Sequence, residues 1–138
     1  MHKILYAFMC PIGAPDSKVG ITGHWEVRQG VYQNSYSRNS HVACFDIAYT
    51  GPGKAVDRLE GILKQEYNWQ IERDGRGASE WLANISPADI EKKIDELIEG
   101  YRFKITKVPK RFLPLTVDNK DEFNQYLKET SSGKSKQN

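Results

Sequence analysis

Lys18-Val19-Gly20-Ile21-Thr22 is a short run of β-forming residues broken by one glycine. A longer run, Lys3 to Met9, comes before it and holds Ile4-Leu5-Tyr6-Ala7-Phe8. Both read as strands. Between them Pro11-Ile12-Gly13-Ala14-Pro15-Asp16 is turn chemistry, with two prolines, a glycine and an aspartate. Two strands joined this way predict an antiparallel hairpin. Alternation along it would bring the Tyr6 and Lys18 side chains to one rim of the sheet. Gly20 reads as a place where backbone and substrate, or strand and helix, need close approach.

Working outward, Gly23 breaks the second strand, and Trp25 to Gln33 reads as a short helix with Trp25, Arg28 and Tyr32 near one face. Asn34 to Ser40 is polar and predicts a loop. Val42 to Tyr49 predicts a third strand, ended sharply by Gly51-Pro52-Gly53. Lys54 to Tyr67 predicts a strong helix, with Val56, Leu59, Leu63 and Tyr67 on one stripe. Asn68 to Ser79 reads as a mobile loop and Glu80-Trp81-Leu82 as a short anchored segment. Ser86-Pro87 opens a helix to about Glu99, ended by Gly100. Tyr101 to Val108 predicts a strand. Pro109 and Pro114 bracket a basic apolar segment, and Asp118 or Asn119 caps a last helix to about Lys128. The expected division is a domain at 1–100, a basic C-terminal extension at 101–129, and a disordered tail at 130–138.

The chain has 138 residues, 38% hydrophobic and 28% charged, which suits one soluble domain with a single core. No run of about 18 apolar residues is present, so no membrane span is expected, and no signal-peptide pattern opens the chain. Cys10 and Cys44 read as buried thiols of a reducing compartment, which points to the cytoplasm. The net charge of +2 is uneven: residues 1–101 hold 11 Lys+Arg against 14 Asp+Glu, and residues 102–138 hold 9 against 4. A basic end of this kind serves a nucleic-acid arm or an ordinary solubilising tail, and charge alone does not choose between them.

Three placements carry possible chemistry. Glu60 falls about 40° from Val56 on the helical wheel, beside the stripe meant for the core. A carboxylate there must be paired, hydrogen-bonded or metal-bound, or must reach water with Arg58 or Lys64 beside it. Arg28 shares a face with Trp25 and Tyr32, where its guanidinium serves either as a bidentate phosphate binder or as a surface cation on aromatic rings. Tyr6 and Lys18 could orient a water near that arginine, or be a core tyrosine and a solvated lysine. His24 and His41 are weaker candidates for a base or ligand, because no zinc-like spacing supports them.

These residues resemble the GIY-YIG endonuclease superfamily over roughly residues 3–82. Ile4-Leu5-Tyr6 stands where the family has Gly-Ile-Tyr, and Lys18-Val19-Gly20 stands where it has Tyr-Ile-Gly. Tyr6 and Gly20 match, and Lys18 replaces the second tyrosine. Arg28, eight residues after Gly20, and Glu60, on the helix after the third strand, fall where the family has its catalytic arginine and its metal-binding glutamate. Gly77-Ala78-Ser79-Glu80-Trp81-Leu82 is similar to the Gly-x-x-Glu-Trp-Phe ending of a phage and bacterial branch, which often carries lysine at the second tyrosine position.

The resemblance implies an α/β (α+β) domain with a central three-stranded antiparallel sheet flanked by helices. It implies a metal-dependent endonuclease acting on DNA phosphodiesters, with Tyr6, Lys18, Arg28 and Glu60 catalytic. Glu60 would hold Mg2+ or Mn2+, and Gly20, Glu80 and Trp81 would be structural motif positions. Tyr32, Tyr36 and His41 lie where many members carry a further histidine or tyrosine, and the choice among them stays open. Lys104, Lys107, Lys110 and Arg111 would contact DNA phosphates. The changed motif letters leave a second possibility, a module that kept the fold and lost catalysis. The setting implied is a bacterial or phage-infected cytoplasm.

Overall fold

The computed structural model describes residues 2–9, 17–27, 46–67, 71–74, 77–82, 85–113 and 119–132, excepting the side chains of 9, 71–74, 77–82 and 131–132. The fold is α+β. Strands β1 (His2–Met9), β2 (Ser17–Thr22), β3 (Ile47–Pro52), β4 (Ile71–Asp74), β5 (Gly77–Leu82) and β6 (Thr106–Lys107) form one sheet in the order β4-β5-β2-β1-β3-β6. Neighbours pair antiparallel throughout. The helices are α1 (Gly53–Glu66), α2 (Pro87–Tyr101) and α3 (Lys120–Ser132), with a 3-10 turn at Lys110–Phe112.

The expected trio β2-β1-β3 is the centre of this sheet, and three further strands widen it. The stretch 68–79, read as a loop, contains β4 and the start of β5, which pair as Asp74↔Gly77 and Arg73↔Ala78. The strand expected over Tyr101 to Val108 is replaced by the end of α2 and by the two residues of β6. Helix α2 passes through Gly100 to Tyr101, and Arg102 takes the left-handed capping conformation at φ 56°. A non-glycine residue there is uncommon. The N-terminus of α2 is as expected, since Asp89 N donates to Ser86 Oγ at 3.2 Å and Pro87 occupies the first turn. Helix α3 runs through Ser132, so residues 130–132 of the expected disordered tail are helical. Cys10, Cys44 and residues 133–138 lie outside the described residues.

β1 is buried at every position from Ile4 to Phe8. An uninterrupted apolar strand needs cover on both faces, and both are covered. On one face Leu5, Ala7, Val19, Ile47 and Tyr49 meet Val56, Leu59 and Leu63 of α1 and Ile90 and Ile94 of α2. On the other, Ile4, Tyr6, Phe8 and Ala48 meet Trp25, Val108, Phe112 and Phe123. Residues 101–129, expected as an extension beyond a domain ending at 100, therefore supply a layer of the core.

The helical turn that begins at Trp25 is held to α3 by three polar contacts. Trp25 Nε1 donates to Asn124 Oδ1 at 2.9 Å, Asn124 Nδ2 donates to Glu26 Oε1 at 3.3 Å, and Lys120 Nζ lies 2.8 Å from Glu26 Oε2. The hydrogen bond from Lys120 holds the Glu26 carboxyl below its ordinary pKa.

Candidate active site

Tyr6 and Gly20 are register partners on β1 and β2, and Phe8 faces Lys18 two pairs further along. Partners in an antiparallel pair share a sheet face, so Tyr6, Phe8, Lys18 and Gly20 all project to the side covered by α3. The Tyr6 ring lies across Gly20: a Cβ added there would come within 2.6 Å of Tyr6 Cζ and closer still to its hydroxyl. Gly20 is thus the groove that admits the tyrosine. Tyr6 also stacks on Phe8, with ring centroids 6.3 Å apart and planes 11° from parallel. Its side chain is nearly out of solvent, at 2% exposure.

Lys18 is half-buried. Its backbone pairs with Phe8 on one side and with Trp81 of β5 on the other. The Glu-Trp segment therefore borders the second motif strand, although the side chains of Glu80 and Trp81 lie outside the described residues. Arg28, Tyr32, Tyr36 and His41 also lie outside them.

Glu60 sits on α1, which packs on the sheet face opposite Tyr6. Its side chain is 21% exposed, and Lys64 Nζ lies 3.4 Å from Glu60 Oε2. The structure thus brings Tyr6, Gly20 and Lys18 together on one face and carries Glu60 on a helix covering the other. Among the described residues no group of three or more His, Cys, Asp or Glu is placed to hold a metal ion. Glu60 by itself offers one partly exposed carboxylate. That suits Mg2+, which commonly keeps several waters and takes one or two carboxylates together with substrate phosphate oxygens.

The basic residues proposed to contact phosphate divide in two. Lys107 Nζ lies 2.8 Å from Asp95 Oδ2 and 2.9 Å from Glu91 Oε2, and Lys110 Nζ lies 3.5 Å from Glu91 Oε1. Both are taken up in ion pairs with α2. Arg111 lies over its neighbour Phe112, 4.8 Å from the ring centroid. Lys104 is exposed.

Sequence reasoning passed over the polar cluster around Lys107, because its members come from three elements. Tyr49, wholly buried on β3, donates its hydroxyl to Asp95 Oδ1 at 2.8 Å. Burial, then the Asp95 carboxylate, pushes the Tyr49 phenol far above its ordinary value, and the Asp95 hydrogen bond raises Lys107 as well. The neutral phenol therefore contributes stability that is fully present below about pH 10 and lost as pH rises further. Wild-type stability should fall by up to about 1.4 kcal/mol more per pH unit above that point than stability of Tyr49→Phe. Urea unfolding from pH 9 to 11.5 measures this, and parallel pH profiles for the two proteins would contradict it.

Along this chain no family model, curated protein or solved structure gives a match.

Proposed function

We propose that this chain is a metal-dependent endonuclease of the GIY-YIG type that hydrolyses DNA phosphodiesters. The observation that carries the reading is the pairing of Tyr6 with Gly20. These are the two motif positions the sequence retains, and they face each other across the two central strands. In this reading Lys18, half-buried at the edge of the same cluster, orients the attacking water. Tyr6, expected to act on the attacking water, is enclosed at 2% exposure, and in this reading it instead fixes the geometry of the two strands on which the site is built. Arg28 neutralises charge on the scissile phosphate. Glu60, carried by the helix over the other face of the sheet, would hold Mg2+ or Mn2+, and the ion would supply charge stabilisation for the phosphate.

A second reading, a nucleic-acid-binding module without catalysis, is favoured by the ion pair of Glu60 with Lys64 and by the placement of α1 opposite Tyr6. Nicking of supercoiled plasmid with Mg2+ separates the two. The endonuclease reading expects Glu60→Ala to lose at least about 100-fold in rate, the scale of removing one group that stabilises transition-state charge. Wild-type protein that cuts no better than Glu60→Ala leaves the binding module standing.

A further inference from the structure

The end of α2 gathers cations that have no acidic partner. Most described lysines are ion-paired: Lys3 with Asp57, Lys93 with Glu66, Lys107 and Lys110 with Glu91, Lys120 with Glu26. Among the described residues Arg58, Arg102 and Lys104 have no carboxylate within ion-pairing distance; Lys54, Lys92 and Arg111 share that, and what sets the three apart is the pair of rings beside them. Glu99, the acid next to them in the chain, pairs with none of the three.

Arg58, on α1, instead lies over two aromatic rings. Its guanidinium carbon is 5.5 Å from the Tyr101 ring centroid and 5.6 Å from that of Phe103. The two rings stack at 5.6 Å with planes 26° apart, and Tyr101 is 50% exposed. The left-handed cap puts Arg102 between the two aromatics in the chain, and Lys104 follows them, both exposed. Glycine commonly holds this position; here an exposed arginine holds it, at some cost in backbone strain.

We infer that Arg58, Tyr101, Arg102 and Lys104 form a binding surface for single-stranded nucleic acid. A half-exposed ring backed by another ring offers a stacking platform, and a base can use it only when its face is not covered by a duplex neighbour. Arg102 and Lys104 lie along one stretch of chain, Arg58 joins them from α1 beside the two rings, and the three cations meet the backbone phosphates. The ligand class rests on the nucleic-acid reading above, but the surface is separate from the candidate active site. On α1, Arg58 and Glu60 are about 160° apart. The surface also differs from the basic set expected from the sequence, since Lys107 and Lys110 are occupied and only Lys104 is shared.

The test is fluorescence anisotropy of a labelled oligo-dT strand with the full chain in EDTA, repeated at several salt concentrations. Tyr101→Ala should weaken binding roughly 5- to 140-fold, the effect of losing one base stack. Arg58→Gln and Arg102→Gly should each lower the slope of log affinity against log salt by about 0.7. Arg102→Gly also serves as the folding control, because glycine suits the left-handed cap and its melting temperature should match or exceed wild type. Lys110→Gln should bind like wild type. Substituting oligo-U shows which sugar the strand carries. Wild-type protein that ignores the strand, or Tyr101→Ala and Arg102→Gly that bind as wild type does, would overturn the inference. Binding lost as expected from a protein that never nicks plasmid would uphold the surface and end the endonuclease reading. Nicking that persists while patch variants bind normally would do the reverse.

Discussion

Phe123→Ala is expected to destabilise the protein by about 3–5 kcal/mol, the range for truncating a buried aromatic. Phe123 is fully buried and touches three rings. Trp25 meets it edge-on with centroids 5.3 Å apart, Phe112 lies 5.6 Å away, and Tyr126 stacks on it at 6.2 Å. Through these contacts α3 covers Ile4, Tyr6 and Phe8 of the central strand. The neighbouring rings are large and held by partners of their own, so the space left by the missing ring cannot easily collapse. Total stabilities of domains this size are typically about 5–15 kcal/mol, so the loss is a large share. Urea unfolding should show a lower midpoint with the slope unchanged. The exposed neighbour Gln125→Ala should change stability by no more than about 0.5 kcal/mol. A cost below about 1 kcal/mol for Phe123→Ala would mean that the C-terminal helix is an arm and not a layer of the core.

That layer left a trace in the sequence. Ile4-Leu5-Tyr6-Ala7-Phe8 has no polar alternation, and a strand of that kind is covered on both faces. With α1 and α2 on one face, something had to cover the other, and Phe112, Phe123 and Tyr126 are among the apolar residues that do so. The stripe Val56, Leu59, Leu63 and the Ser86-Pro87 start of α2 were legible for local reasons, periodicity and capping. The β4–β5 hairpin had its signal in Asp74-Gly75, a dipeptide that favours tight turns between strands; the nearby charges hid it. The end of α2 was misplaced because Gly100 is only a moderate helix breaker, at about 1 kcal/mol relative to alanine. Stacking of Tyr101 on Phe103 and the αL cap at Arg102 carry the helix past it.

For the candidate site, what was legible ended at the strand pair. Register placed Tyr6 opposite Gly20 and Lys18 opposite Phe8, as alternation along a hairpin requires. The face that a following helix covers is set by the path of the connection, which periodicity does not encode. The wheel put Glu60 beside its apolar stripe, and its partial exposure agrees with that, but no local pattern told which side of the sheet α1 would take. The same limit applies to Lys107 and Lys110. Their partners Glu91 and Asp95 lie a helix away in sequence, and a count of basic residues treats all four lysines and arginines of that stretch alike.

Gly20→Ala is expected to cost about 3 kcal/mol, the upper part of the usual range for overpacking a core. The obstacle is specific. The new Cβ would fall within 2.6 Å of Tyr6 Cζ and 3.1 Å of Cε1, and nearer still to the hydroxyl. The ring has little freedom to withdraw, because it stacks on Phe8 inside a cluster closed by Phe112 and Phe123. Either β2 moves away from β1 or the ring leaves its rotamer, and a side chain about 30° off its well costs about 1 kcal/mol before any lost packing is counted. Tyr6→Phe removes the hydroxyl but leaves the Cζ contact, so it should rescue only part of the loss. Tyr6→Val removes the whole obstacle. Each of Gly20→Ala and Tyr6→Val should destabilise alone, and the pair should destabilise by less than their sum, with a coupling of about 1–3 kcal/mol. Additive costs would show that Gly20 is needed for some reason other than the ring lying over it. The cycle reads the strand pair without any assay of cleavage. The join between Tyr6 and Gly20 is therefore testable whichever function the protein has. If the endonuclease reading holds, the displaced ring should lower nicking by Gly20→Ala even under conditions where the protein is still folded.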